Sequence, residues 1–125
     1  MRLSIILNTL FFFITFTSTS QIIGTTYKLD SIEIAQYDLP TELTWYNAKR
    51  ECKELGKGWR LPTAYELDKM YNNKALIGNF VNTNYWSSTD HNSDYAWMQV
   101  FTHKLIAISP KEGHINARAV RTIKP

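Results

Sequence analysis

The chain has a single cysteine, Cys52, so no disulfide can form within it. Small exported domains often rely on such staples. This one must hold by burial alone, and four Trp, seven Tyr and six Phe are where that burial lies. There is no Gly-rich phosphate loop, and no serine stands in a nucleophile-elbow context. The three histidines, His91, His103 and His114, are far apart and form no His-Glu-x-x-His pattern, so a zinc site is not expected. Charge is nearly balanced, with 14 Lys and Arg against 11 Asp and Glu. That is too mild for a nucleic-acid partner, which calls for a strongly basic face.

The first twenty residues differ from the rest. Met1 and Arg2 make a short positive start, Leu3 to Thr17 is almost wholly apolar, and Ser18-Thr19-Ser20 puts small residues before Gln21. This is the layout of a secretory signal peptide. The apolar run is short of the roughly 20 residues that span a bilayer. No Cys follows it to carry a lipid. Residues 1–20 therefore read as a cleaved signal peptide, 21–42 as an N-terminal extension entering a first strand, and 43–125 as one domain. The protein is expected to be exported (periplasmic, surface-held or secreted), with no stable membrane insertion after cleavage.

Tyr27-Lys28-Leu29 and Ile32-Glu33-Ile34 alternate apolar and polar side chains, as a half-buried strand does. Thr44 is a natural N-cap. Behind it Trp45, Ala48, Cys52 and Leu55 fall on one helical face, and Lys49, Arg50, Glu51, Lys53 and Glu54 fall elsewhere. Gly56 is placed to end that helix at C′. Cys52 then points into the core as an inert packing residue. Thr63-Ala64-Tyr65-Glu66 is a capping box that opens a second helix, with Leu67 and Met70 or Tyr71 inward and Asn72-Asn73 as its stop. Strands are expected over 85–89, 95–102, 105–109 and 115–123. Both faces of the second are apolar, which suits a central strand. Early helices and late strands make an α+β domain.

Trp59-Arg60-Leu61-Pro62-Thr63 with Glu66-Leu67, then Tyr85-Trp86-Ser87-Ser88-Thr89, Ala96-Trp97 through Phe101, and Arg118-Ala119-Val120-Arg121 form four ordered blocks. Together they resemble the Lcl C-terminal domain family of bacterial collagen-like adhesins, over about residues 43 to 123. The resemblance implies a C-type-lectin-like fold, with two helices on antiparallel sheets and long loops. It also implies glycan binding and adhesion, with an acidic or host-type polysaccharide as the expected ligand. Two positions depart from the family. Ala119 stands where the family often has the cysteine that would partner Cys52. Thr102-His103-Lys104 replaces a turn that tends to carry Gly. The Arg-Leu-Pro-Thr block is also similar to formylglycine-generating proteins. Their chemistry depends on a cysteine pair, which this chain lacks, so no enzyme activity and no cofactor are expected.

The motif residues Trp59, Arg60, Pro62, Thr63, Glu66, Trp86, Trp97, Arg118 and Arg121 read as structural. Arg118 and Arg121 differ by three, so in a strand they face opposite sides. The inward one needs a carboxylate, and Glu66 is the candidate. Asp90-His91-Asn92-Ser93-Asp94 has the spacing of half a calcium loop, but Tyr95 and Phe101 stand where such a loop needs Gly and Glu. It reads as a polar turn. Loops therefore supply the binding candidates: Asn92, Asp94, Tyr95, His103, Lys104 and Lys111, with the two lysines taken as solvent-exposed charges for an acidic polysaccharide. The alternative is a structural or protein-interaction domain without a glycan site.

Overall fold

The computed structural model describes residues 18–124. The expected signal peptide falls outside them except for Ser18, Thr19 and Ser20. Eleven elements follow in chain order: α1 (Thr19–Ile23), β1 (Tyr27–Leu29), β2 (Ile32–Ile34), α2 (Trp45–Glu54), β3 (Trp59–Arg60), α3 (Ala64–Asn72), α4 (Lys74–Ile77), β4 (Asn84–Asp90), β5 (Tyr95–Val100), β6 (Leu105–Pro110) and β7 (Val120–Thr122). They make a four-stranded sheet in the order β1-β2-β7-β3 and a three-stranded sheet in the order β4-β5-β6. All named strand pairs are antiparallel.

Local chemistry places the helices as the spacing predicts. Thr44 Oγ1 accepts from the Asn47 amide, and Trp45, Ala48 and Cys52 are buried on one face of α2. Gly56 follows the helix at φ +142°, a conformation that L side chains rarely adopt. At α3 both halves of the capping box form: Thr63 Oγ1 accepts from Glu66 N at 3.1 Å, and Glu66 Oε1 accepts from Thr63 N at 2.8 Å. Leu67 and Met70 are its buried residues.

Two apolar cores result. One gathers Trp45, Ala48, Cys52, Trp59, Leu61, Trp86, Ala96 and Ala119. The other gathers Ile32, Ile34, Leu67, Met70, Tyr85, Phe101 and Val120. Neighbouring residues of one segment serve opposite cores, as Tyr85 and Trp86 do on β4 and Ala119 and Val120 do at β7, because successive side chains of extended chain point to opposite faces. Two indoles of the first core are hydrogen-bonded inside: Trp86 Nε1 donates to Leu43 O and Trp45 Nε1 to Ser87 O, each at 2.8 Å.

Four expectations need correction. Residues 21–42 are more than an entry into one strand, since they supply both β1 and β2 of the larger sheet. Only Val120–Thr122 of the expected last strand is a strand. Residues 115, 117 and 119 bond instead to the irregular segment 35–43, with Leu43 and Ile115 exchanging backbone hydrogen bonds and Leu39 N and Ala35 N donating to Ala117 O and Ala119 O, while Asn116 bonds to β4. Pro40 and the turns around it deny that stretch a continuous ladder. Arg118 meets Asp38 and not Glu66; Glu66 is taken by Arg60. The turn at 101–104 needs no glycine. It spans four residues, and among the described residues only Asp30 and Asn79 are non-glycine positions with positive φ.

Candidate functional site

Arg118 is wholly buried, and its guanidinium is fully spent on the fold. Nε donates to Asp38 Oδ1 at 2.8 Å, and the terminal nitrogens donate to the carbonyls of Ala35, Gly78 and Asn79. Tyr85 Oη donates to the other Asp38 oxygen at 2.6 Å. Burial pushes the Asp38 carboxyl above its usual range, against the pull of the Arg118 charge. Arg121 donates to Glu33 Oε2 at 2.8 and 3.0 Å, which holds that carboxyl below its ordinary value. Arg60 grips both oxygens of Glu66, at 2.8 and 3.0 Å. No motif arginine retains an uncommitted charge for a ligand.

The loop residues expected to act together are divided. Asn92, Asp94, Tyr95 and Lys111 meet at one end of the β5–β6 hairpin. His103 and Lys104 lie at the other end, roughly 20 Å away along six-residue strands. Asn92 Oδ1 is occupied by the amides of Asp94 and Tyr95, each at 2.9 Å, so the loop is closed by its own turn.

Lys111 is the clearest correction: it is 4% exposed, not a surface charge. Its ammonium lies 2.8 Å from Asp90 Oδ1 and 2.6 Å from Asn92 O, over the Trp45 ring. It ties the hairpin end to α2. The cleft above it, of about 470 Å³, is bordered by Tyr46, Ser93, Asp94, Tyr95, Pro110 and Glu112. With its one cation neutralised and two further carboxylates on the rim, that cleft repels an anion. Lys104 is exposed and sits 3.7 Å from Asp68, too far for more than weak pairing.

A second cleft has the opposite character. It measures about 620 Å³ and is lined by Lys49, Arg50, Lys53, Gly58, Trp59, Arg60, Leu61 and Ser88, none of them acidic. The 3.6-residue period of α2 puts Lys49 and Lys53 one above the other, with Arg50 beside them. Trp59 and Leu61 are buried and make an apolar floor. Lys49 Nζ rests 4.1 Å from the Trp45 ring centroid. Arg50 is braced by Asn47 Oδ1 at 2.8 Å and reaches Glu54 only at 4.0 Å. Among the described residues Lys53 makes no ion pair. From the sequence these three residues only fall away from the apolar face of α2, with no role assigned to them. The available signal was the i,i+4 pair Lys49 and Lys53 with Arg50 beside it, while Glu51 and Glu54 reach round to a separate small cleft.

No group of His, Cys, Asp or Glu among the described residues is arranged to hold a metal ion, and no described helix is long and apolar enough to cross a membrane. A model of the Lcl C-terminal domain matches residues 18–121. No curated protein matches the sequence. Solved structures with similar folds include the snake venom toxin convulxin (11% identity, TM-score 0.61, covering 82% of this chain and 98% of that one). Botrocetin is similar at 11% identity and TM-score 0.59, over 79% and 97% of the two chains. EMS16, an antagonist of the collagen receptor integrin α2β1, is similar at 13% identity and TM-score 0.57, over 78% and 96%. At such identities the likeness concerns the fold, which is C-type-lectin-like.

Proposed function

The chain belongs to the Lcl C-terminal domain family, and from that premise we propose an exported, non-enzymatic binding module that takes acidic polysaccharide in the cleft between α2 and β3. One observation carries this reading: a cleft lined by the three helix cations Lys49, Arg50 and Lys53 and by no carboxylate, floored by Trp59 and Leu61. Sulfate or carboxylate groups would meet Lys49, Arg50 and Lys53 as point charges, and a sugar ring would lie against the apolar floor. Arg60, already committed to Glu66, shapes the wall. Lys104 does not line this cleft, and Lys111 is neutralised by Asp90. The apolar run of residues 3–17, with small residues before Gln21, supports export.

Heparin serves as a sulfated probe and hyaluronan as a carboxylated one, each titrated at low and high salt. Binding should weaken as salt rises, because exposed charges are screened over about 8 Å at physiological ionic strength. Exposed ion pairs are worth up to about 1 kcal/mol each, so Lys49→Gln with Lys53→Gln should weaken binding roughly tenfold and leave the melting temperature nearly unchanged. Salt-independent binding that survives the double substitution would overturn the site. Failure to bind either polymer would leave the domain as a protein-interaction module.

A further inference from the structure

Removing residues 1–20 changes the chemistry of one exposed side chain. Gln21 stands directly after the small residues Ser18-Thr19-Ser20, so a cut there makes it the first residue. In the uncut chain its backbone N–H donates to Ser18 O at 3.1 Å and to Ser18 Oγ at 3.3 Å. Its side-chain Oε1 accepts from Ser18 N at 3.2 Å. Among the described residues Ser18 is the partner in every one of these bonds, and it leaves with the severed piece. The Gln21 amine and carboxamide are then both free at the surface, where the residue is exposed. The next residue is the reverse. Ile22 is 7% exposed, its carbonyl accepts from Tyr37 N at 3.2 Å, and that of Ile23 accepts from Gln36 N at 2.8 Å. Gln21 is thus the last residue before one that the fold needs.

We infer that Gln21 is a modification site, at which the mature N-terminus closes on itself as a pyroglutamyl lactam. The inference rests on the proposed export, with its cut before Gln21, and not on the polysaccharide cleft. Cleavage is the trigger, because in the uncut chain the Gln21 nitrogen is an acylated amide and no nucleophile. As a free α-amine it loses its proton at about pH 8, so roughly a tenth is neutral near pH 7. The neutral nitrogen attacks Cδ of its own side chain. A new N–Cδ bond forms, the bond from Cδ to the carboxamide nitrogen breaks, and ammonia leaves with the proton given up by the amine. No oxidant, metal or second substrate enters. All five ring atoms belong to Gln21, so no neighbour has to move. The bonds at Ile22 and Ile23 are untouched, and closure costs the fold nothing. The lactam also has no free α-amine, the group by which aminopeptidases hold a chain end. Sealing Gln21 therefore guards the buried Ile22 directly behind it, at the end of the chain where proteolysis concentrates.

The test reads the first residue of the exported protein. Free amines are methylated at harvest, before digestion, and the N-terminal peptide is weighed by mass spectrometry. It should begin at residue 21, be lighter than the encoded peptide by one ammonia, and carry no methyl label on its terminus. Gln21→Ala removes the carboxamide and should give the same start with a fully labelled amine and a nearly unchanged melting temperature. A labelled Gln21 amine in the parent would overturn the inference and leave the cleavage standing. A blocked terminus that persists in Gln21→Ala would overturn it too, since another group would then be responsible. A start at any other residue would overturn both the lactam and the cut on which it rests.

Discussion

Arg118 shows how a side chain with the appearance of a binding residue can be wholly structural. Its donors are distributed over one carboxylate and three carbonyls from the 35–38 and 78–79 segments. Removing it leaves Asp38 as a buried charge without its counter-ion, a change that costs about 3–5 kcal/mol. Arg118→Met should lose that much in chemical denaturation. Arg118→Lys should recover little, because a single ammonium cannot reproduce the guanidinium fork. Cys52 is the complementary case. Burial, helped by the charge of Glu51, pushes its thiol up to about 12. The native protein should therefore react with thiol reagents only as fast as it opens, and rapid labelling at neutral pH would contradict the packing of α2.

At the scale of elements, the start of α3 joins three interactions that the sequence only partly reveals. The Thr63-x-x-Glu66 spacing is legible as a capping box, and Thr63→Ala should cost roughly 1 kcal/mol. The Arg60 grip on Glu66 is not legible, because it depends on β3 being set beside the helix start by its pairing with β7. Burial pushes the Glu66 carboxyl up, but the Arg60 hydrogen bonds and the Thr63 amide outweigh it, and the group ends below its ordinary value. A depressed carboxylate adds stability above its unfolded value, near 4.3, and loses it as pH falls through the folded value. Acid unfolding of Glu66→Gln should accordingly be flatter than that of the parent below about pH 4. An unchanged acid profile would mean the pair contributes nothing.

Across the whole molecule, periodicity revealed what depends on one segment and concealed what depends on two. The faces of α2 and α3, the burial of Cys52 and the central place of β5 follow from residues close in sequence. The burial of Lys111 and the partner of Arg118 are not legible in the sequence because Asp90 and Asp38 are brought to them by tertiary folding, and the cationic cleft is not legible because β3 supplies its floor from outside the helix. The N-terminus poses the same question. Residues 18–23 adjoin an expected cleavage site, yet α1 is built into the fold. Ile22 is buried in the first core, and the carbonyls of Ile22 and Ile23 accept from Tyr37 N and Gln36 N at 3.2 and 2.8 Å. Gly24, at φ +54°, turns the chain so tightly against Gln36 that an added Cβ would lie 2.3 Å from its side-chain oxygen. Cleavage before Gln21 keeps Ile22 and its bonds to residues 36–37, and removes the exposed Ser18, Thr19 and Ser20 with the cap and the Gly24 N–Ser20 O bond, at a cost of about 1 kcal/mol. A chain begun at Gly24 gives up the Ile22 side chain and both backbone bonds, and should lose about 2–3 kcal/mol in chemical denaturation. The exported protein should therefore begin at or near Gln21 by mass spectrometry and not beyond Ile22. Equal stability of the Gln21 and Gly24 forms would show that α1 is no part of the folded unit, and an intact Met1 would overturn the processing itself.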